Sequence, residues 1–413
     1  MERAPGKRPE RLPTIEVGNT VIWANEAMKA PFDIRVGEPS PFGVLLALSG
    51  EPDATGFPGI PRQDHWRTLD VGQVYFEDTE HRLYRDVDIK GSGLLQPILS
   101  IPPSAEVGEA GQWFAKPASG GQVSMDVRGL LDRDDALHDA DMAEQFTTLG
   151  IRTHRALAIV KLEELNVGTE RIPIDQLKAE KKLHPDFYPV VEARAFGVKT
   201  RTGDLFSIRR SPSVRGQEYI ERLRSMELSK LLSESQIAVA KREIGDALAF
   251  LEKEQGKALS KEEYVHWFVS EMGRAIGIMH NAGYAHQWLH AQNVTLDARL
   301  TDFDSVYRLA DFDLNPELTP AEREEEKETL IYNDINFDPT FSRTGILSWL
   351  EPYVTYLKKL YPEELEVLDA TRTNTEFFES YAKQLTTARM RETFVLFMQG
   401  NDIELPDGFS DKA

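Results

Sequence analysis

The segment from His286 to Asp304 constrains the fold of this chain more than any other stretch. It holds Asn293, a short apolar run that predicts a strand, a second run beginning Arg299-Leu300-Thr301, and then Asp302. A short hairpin of this kind can bring an Asn and an Asp together, and their hard oxygens suit Mg²⁺ bound to nucleotide phosphates. The alternative is that Asn293 caps a turn and that Asp302 is a surface carboxylate.

The order of the other elements predicts the fold class. The alternation over 83–90 predicts a half-buried strand, and the spacing over 134–149 predicts a helix. Beyond residue 217 the pattern is almost entirely helical, and Ser260 with Glu263 predicts a capping box at the start of one helix. We therefore predict an α+β, protein-kinase-like two-lobe fold, with a β-rich N-terminal lobe and a mostly helical C-terminal lobe. The expected parts are a disordered tail (1–14), an N-lobe (15–165), a connector with Arg-bearing strands (166–216) and a C-lobe (217–413) with its catalytic loop at 286–304.

Composition excludes several classes of function. The net charge of −20 argues against nucleic acid and anionic membrane as main partners, because phosphate binding at a surface needs clustered Lys and Arg. The chain has no cysteine, which removes disulfides, thiolate catalysis and iron–sulfur clusters. No run reaches the length of a membrane helix and the first residues do not form a signal peptide, so we expect a cytoplasmic protein.

Two sets of basic residues are candidate anion ligands. Lys90 ends a predicted strand, where it could bind phosphate oxygens as a compact cation or simply be exposed. Segments 187–199 and 204–210 predict a pair of strands, of which the second delivers Arg209 and, shortly after it, Arg215. These arginines could bind an anion or could pair with surface carboxylates.

Several segments together resemble selenoprotein O, a family of protein adenylyltransferases with a kinase-like fold. Asp88-Ile-Lys-Gly-Ser-Gly93 is similar to that family's Lys-Gly-Ala-Gly strand end. The most specific match is Ala143–Val160, which resembles its Ser-Glu-Ala-Met-x-x-Leu-Gly-Ile-Pro-Thr-Thr-Arg-Ala-Leu-Ala-Val-Val segment. Arg209–Arg215 resembles its Arg-Val-Ala-x-Ser-x-Ile-Arg motif, and His286–Asn293 resembles its His-Gly-Val-Met-Asn-Thr-Asp-Asn loop. The C-terminal hundred residues match poorly.

The resemblance implies a set of nucleotide-binding roles. Lys90 would contact phosphates, held by a helix acid that is Asp139 by alignment, with Glu144 as the second choice. Arg209 and Arg215 would bind phosphate oxygens, a feature that in the family goes with a flipped ATP and with transfer of AMP instead of phosphate.

The metal site and the proton acceptor follow from the same resemblance, with departures. Asn293 and Asp302 would hold Mg²⁺ or Mn²⁺. The family's proton acceptor is an Asp where this chain has Gln292, and the kinase position for that Asp is Trp288 here, so neither side chain can take a proton. His290 is the nearest ionisable substitute for this catalytic role.

Two further parts of the family pattern are altered. Its Gly-Asp-Gly-Arg phosphate loop aligns best with Asp70–Gln73, which leaves Gly72 as the cofactor-binding candidate there and lacks the Arg. Its C-terminal redox Cys or selenocysteine is absent, so the family's redox control cannot operate.

We therefore expect a kinase-like nucleotidyltransferase that uses Mg-ATP to put AMP on a hydroxyl of an unknown protein or small molecule. Two alternatives stay open, a small-molecule phosphotransferase and a nucleotide-binding pseudokinase that acts as an interaction module.

Overall fold

The computed structural model describes residues 14–46, 68–93, 105–107, 113–115, 130–167, 170–180, 183, 185–206, 221–336, 345–401 and 403–409. The chain divides into two compact units. The first comprises Met1–Asp141 with His154–Lys199, and the second comprises Met142–Thr153 with Thr200–Ala413. We call them the N-terminal and C-terminal units and describe each by itself.

The strands lie mostly in the N-terminal unit, and only the last two belong to the C-terminal unit. They are β1 (Thr14–Glu16), β2 (Asn19–Ala24), β3 (Val44–Leu46), β4 (Thr68–Glu77), β5 (Leu83–Lys90), β6 (Ala105–Val107), β7 (Trp113–Ala115), β8 (Leu131–Asp132), β9 (Arg155–Leu162), β10 (Glu164–Val167), β11 (Glu170–Pro173), β12 (Pro189–Phe196), β13 (Tyr284–Ala285) and β14 (Tyr307–Arg308).

An antiparallel sheet with the strand order β2-β9-β12-β5-β4 forms the centre of the N-terminal unit, and β8 pairs with β12 at one end. Side chains alternate between its faces because successive residues of a strand point to opposite sides. One face is apolar: Val87 and Ile89 of β5 join Val191 and Ala193 of β12 in a buried core cluster. The other face carries the buried charged residues of the same two strands.

The helices begin in the N-terminal unit and dominate the C-terminal unit. They are α1 (Arg133–Thr148), α2 (Ile174–Ala179), α3 (Thr202–Phe206), α4 (Glu234–Gln255), α5 (Lys261–Asn281), α6 (Pro320–Ile335), α7 (Leu350–Leu360), α8 (Thr373–Ala382) and α9 (Ala388–Gly400).

Capping residues mark the starts of two long helices. Ser260 is the N-cap of α5 and forms a reciprocal capping box with Glu263, as predicted, and Thr319 does the same with Glu322 at α6. Helix α5 then packs closely on α8 because Gly273 has no side chain. A Cβ there would lie only 2.3 Å from the Phe377 carbonyl oxygen.

The predicted α+β class is confirmed: the N-terminal part is rich in strands and the C-terminal part is mostly helical. The strand predicted at 204–210 is wrong where the structure describes it, because Thr202–Phe206 is a short helix. Its start is fixed by the Asp204 carboxylate, which accepts a hydrogen bond from the backbone N–H of Arg201. None of the helices in the described ranges combines the length and the apolar character needed to cross a bilayer.

Candidate functional site

Lys90 lies in a buried ion pair in the N-terminal unit. Its Nζ is 3.3 Å from Oδ2 of Asp139 on α1, and both side chains are almost completely shielded from water. A buried ammonium group needs such a partner, because an isolated charge in an apolar interior is very costly. The partner is Asp139, the first choice from the sequence, and not Glu144. The arrangement matches the Lys and helix acid that kinases use to position nucleotide phosphates.

A second buried ion pair lies beside the first on the same sheet face. The Arg194 guanidinium of β12 donates two hydrogen bonds, both 2.9 Å long, to the Asp88 carboxylate of β5. This bidentate pair is electrically neutral and locks the two central strands in register, with Arg194 opposite Asp88 and Glu192 opposite Lys90.

Glu192 is the unexpected residue of this face. Its side chain is fully buried, and neither carboxylate oxygen has a hydrogen-bond partner among the residues that the structure describes. Burial raises the pKa of Glu192 well above its ordinary value, and the negative charge of Asp139 raises it further, against the opposing effect of Arg194 and Lys90. The buried imidazole of His154, with Nε2 3.6 Å from Asp139 Oδ2, completes the cluster.

The predicted catalytic loop of the C-terminal unit is held by one carboxylate. Asp334 near the end of α6 accepts hydrogen bonds from the backbone N–H groups of His286 (2.6 Å) and Gln287 (2.5 Å). It also contacts Nε2 of His280, at 3.1 Å. Asp334 is fully buried, so these short bonds are shielded from water and fix the start of the loop.

Further side chains hold the middle of the loop through its backbone carbonyls. Arg201 donates to the carbonyl of Gln292 at 2.6 Å, and Thr202 donates to that of Ala291 at 2.7 Å. Just before α7, the Trp349 indole N–H donates to the carbonyl of Leu289 at 2.7 Å. A loop satisfied in this way has little freedom to move, which suits a site that must position reactants.

The predicted hairpin is present between Asn293 and Asp302. Val294 and Leu300 form an antiparallel bridge, and the N–H of Thr301 donates to the Asn293 carbonyl at 3.1 Å. Asp302 therefore directly follows the residue paired with Asn293. Its backbone is left-handed, with φ 70° and ψ 62°, a conformation that few non-glycine residues adopt and that Asp adopts more readily than most.

The side chains of this hairpin suit a hard cation. Nδ2 of Asn293 donates to the Trp288 carbonyl at 2.9 Å, which fixes the direction of the amide group. Its Oδ1 is buried and has no hydrogen-bond partner in the described ranges. Leaving such an oxygen unpaired costs about 1–3 kcal/mol, a cost that a bound cation would remove. An orphaned amide oxygen and a nearby carboxylate are ligands of the type that Mg²⁺ takes.

The two candidates for proton transfer lie next to Asn293. Gln292 is buried and packs against Gly203, where a Cβ would lie 2.5 Å from the Gln292 Nε2. His290 is about 8% exposed, its ring centroid lies 6.3 Å from that of Trp288, and its carbonyl accepts from the N–H of Asn293 at 2.8 Å. Of the two, only His290 can accept a proton.

The remaining candidates contribute less to the described geometry. Gly72 lies within β4 at an irregularity of its pairing with β5, and its φ of 140° favours glycine. Arg209 and Arg215 lie outside the described residues, so their predicted phosphate contacts stay predictions.

Sequence reasoning missed Asp334, Glu192 and His154. A signal existed for the first two. Asp334 falls on the apolar face of α6, three residues after Ile331, and Glu192 interrupts the apolar strand Pro189–Phe196. A carboxylate on an otherwise buried face must have a partner or a special role. No comparable pattern surrounds His154.

Comparisons with known proteins add little. No protein-family model matches the chain, and no curated protein matches it. Among solved structures, the chain is similar to a crystal structure of a specific rhoptry antigen kinase domain from Toxoplasma gondii. The identity is 9%, the match covers 81% of this chain and 83% of that chain, and the TM-score is 0.26. At this TM-score the likeness carries no argument of its own.

Proposed function

We propose that the protein is a kinase-like nucleotidyltransferase that uses Mg-ATP to transfer AMP to a hydroxyl group of a protein or small molecule. The observation that carries the proposal is the hairpin geometry. Asn293 is paired through its backbone with the residue before Asp302, and its buried Oδ1 is left without a partner. A metal–phosphate site accounts for this oxygen and for the left-handed backbone of Asp302.

The candidate residues fall into two groups, cationic side chains that would bind phosphate and oxygen ligands that would bind the metal. Lys90, oriented by Asp139, would bind phosphate oxygens of ATP. Asn293 and Asp302 would hold Mg²⁺ or Mn²⁺, which supplies positive charge for the charge that develops on the phosphates. Arg209 and Arg215 would bind further phosphate oxygens. Their resemblance to the selenoprotein O motif favours AMP transfer, in which the acceptor hydroxyl attacks the α-phosphorus and pyrophosphate leaves.

The proposed reaction lacks the usual carboxylate that accepts the hydroxyl proton. With Gln292 in place of an acid, His290 is the residue that would accept the hydroxyl proton. A general base typically contributes about 10²–10⁴-fold to the rate, so its replacement leaves slow transfer driven by positioning and electrostatics.

Gln292 also favours a second candidate function. A buried amide at the proton-acceptor position is what a nucleotide-binding pseudokinase would carry. Such a protein would bind Mg-ATP through the same Lys90 and Asp302 but transfer nothing.

The test uses the purified protein and Mg-ATP labelled separately at the α- and γ-phosphates. Label from the α position on the protein or in small-molecule products supports AMP transfer. Label from the γ position alone identifies a phosphotransferase instead. Binding without transfer of either label, with Mg²⁺ and Mn²⁺, identifies the pseudokinase.

Variants link the activity to the proposed residues. Asp302→Asn should abolish transfer, whereas Asp311→Asn, the same charge change at an exposed position, should not. Replacing Arg209 and Arg215 with Ala should abolish AMP transfer and should reduce ordinary phosphate transfer much less. Transfer that survives Asp302→Asn would disprove the metal site.

A further inference from the structure

A cluster of three metal-ligating side chains lies in the N-terminal unit. Asp139 comes from α1, His154 lies just before β9 and Glu192 lies on β12. All three side chains are completely buried, and they offer ligand atoms that lie within 4.8 Å of one another. The group belongs entirely to the N-terminal unit.

The carboxylate of Glu192 points to a missing ligand. It is fully buried, and in the described part of the chain neither of its oxygens has a hydrogen-bond partner. Buried carboxylates in folded proteins are normally paired, hydrogen-bonded or bound to a metal. Glu192 therefore needs a proton, which it can share with the neighbouring Asp139 carboxylate, or a bound cation.

The charges of the cluster lead to the same conclusion. Arg194 is already bound to Asp88 through two hydrogen bonds, so it offsets the Glu192 charge only in part. Lys90 balances Asp139 and leaves the Glu192 charge uncompensated when it is ionised. An ionised Glu192 carboxylate therefore leaves one unmatched negative charge in the cluster, which a proton or a bound cation would offset.

The spacing and the donor atoms select the kind of metal. A tetrahedral ion with bonds of about 2.1 Å needs ligand atoms about 3.4 Å apart, and Asp139 Oδ2 lies 3.6 Å from His154 Nε2. Imidazole nitrogen with carboxylates suits first-row transition metals, whereas Mg²⁺ and Ca²⁺ prefer oxygen ligands alone.

We propose that Asp139, His154 and Glu192 form a binding site for a first-row transition-metal dication. The dication shares the Asp139 carboxylate with Lys90 and replaces the proton that otherwise neutralises Glu192. The coordination position left open is filled by water or by an incoming anion, as in three-ligand zinc sites.

The test measures metal binding directly, in the absence of nucleotide. Chelator-treated full-length protein is titrated with Co²⁺, whose visible absorption reports nitrogen and oxygen ligands, and then with Zn²⁺ in competition. The site predicts one Co²⁺ per chain, displaced by Zn²⁺, and a higher melting temperature with either ion because binding favours the native state.

Glu192→Gln is the test variant, because a neutral amide replaces the carboxylate at equal size. It should weaken Co²⁺ binding at least tenfold while the protein stays folded. His81→Gln is the control, since His81 is an exposed histidine of the same unit that contacts Glu77. It should bind Co²⁺ like the wild type.

Two results would overturn the proposal. One is no Co²⁺ binding at metal concentrations up to about a hundred times the protein concentration. The other is equal affinity in the wild type and in Glu192→Gln, with both proteins folded by circular dichroism. Neither result depends on ATP, so this test and the test of AMP transfer can fail separately.

Discussion

Asp334→Asn is the substitution that best tests whether the candidate loop is built as described. Asp334 accepts from the backbone N–H groups of His286 and Gln287 and contacts the ring of His280, all without access to water. Asn keeps the size of the side chain but offers one acceptor oxygen and one NH₂ group. The NH₂ group must then face a second donor, so one backbone N–H loses its partner.

The magnitude follows from the number of bonds changed. Hydrogen bonds to a charged group contribute roughly 1.5–3 kcal/mol each, and an unsatisfied buried donor costs roughly 1–3 kcal/mol. We expect Asp334→Asn to destabilise the protein by about 2–5 kcal/mol, which lowers the melting temperature of a unit of this size by roughly 5–15 °C. In the variant the loop also loses part of its anchoring, so the residues that position the reactants shift. Any transfer activity should therefore fall by about 10²-fold or more.

The assay is thermal unfolding followed by circular dichroism, together with Mg-ATP binding to the folded variant. Glu325→Gln is the matched control, because it removes the same charge from an exposed position of the same helix. If Asp334→Asn melts within 1–2 °C (about 0.5 kcal/mol) of this control, the anchoring argument fails.

Three further predictions concern other parts of the chain. Gly273→Ala should destabilise the protein by about 1–3 kcal/mol through overpacking, whereas Gly245→Ala should stabilise it by about 0.5–1 kcal/mol, because Gly245 lies exposed in a helix with open space around it. Asn293→Ala should bind ATP at least tenfold more weakly with Mg²⁺ than the wild type does, and should bind metal-free ATP about equally well. The backbone N–H of Ser260 lowers the pKa of Glu263 to about 2 from 4.5, so Glu263 stabilises the protein above about pH 4.5 and loses this effect toward pH 2.

Each of these predictions has a measurement and a contradicting result. Denaturant unfolding of the two Ala variants should give free-energy changes of opposite sign, and the same sign would refute the close helix packing. Calorimetry with and without Mg²⁺ should show a metal-dependent defect in Asn293→Ala, and an equal defect in both would refute metal binding. The melting temperature of Glu263→Gln should approach that of the wild type as the pH falls, and a constant difference would refute the pKa argument.

The sequence predicted those parts of the fold that depend on local patterns. The strand at 83–90 and the capping box of Ser260 and Glu263 were predicted correctly, because alternation and capping depend on residues close in the chain. The strand predicted at 204–210 failed where it is described, since the Asp204 carboxylate turns the chain into a helix there.

The candidate site could be predicted only where its residues belong to a recognisable sequence motif. The hairpin from Asn293 to Asp302 followed from the spacing of its motif, the Lys90–Asp139 pair was implied by the family resemblance, and both are present as geometry. The anchor Asp334 and the cluster around Glu192 could not be found in this way, because their partners are far away in sequence. Only the three-dimensional arrangement brings Asp334 to a loop almost fifty residues earlier.

Calorimetric titration of the purified protein with Mg-ATP tests the central claim most directly. We predict saturable binding at one site per chain, weakened at least tenfold in Lys90→Met and in Asp302→Asn and unchanged in Asp311→Asn. Absence of binding, or binding that is equal in all four proteins, would contradict the proposed Mg-ATP site.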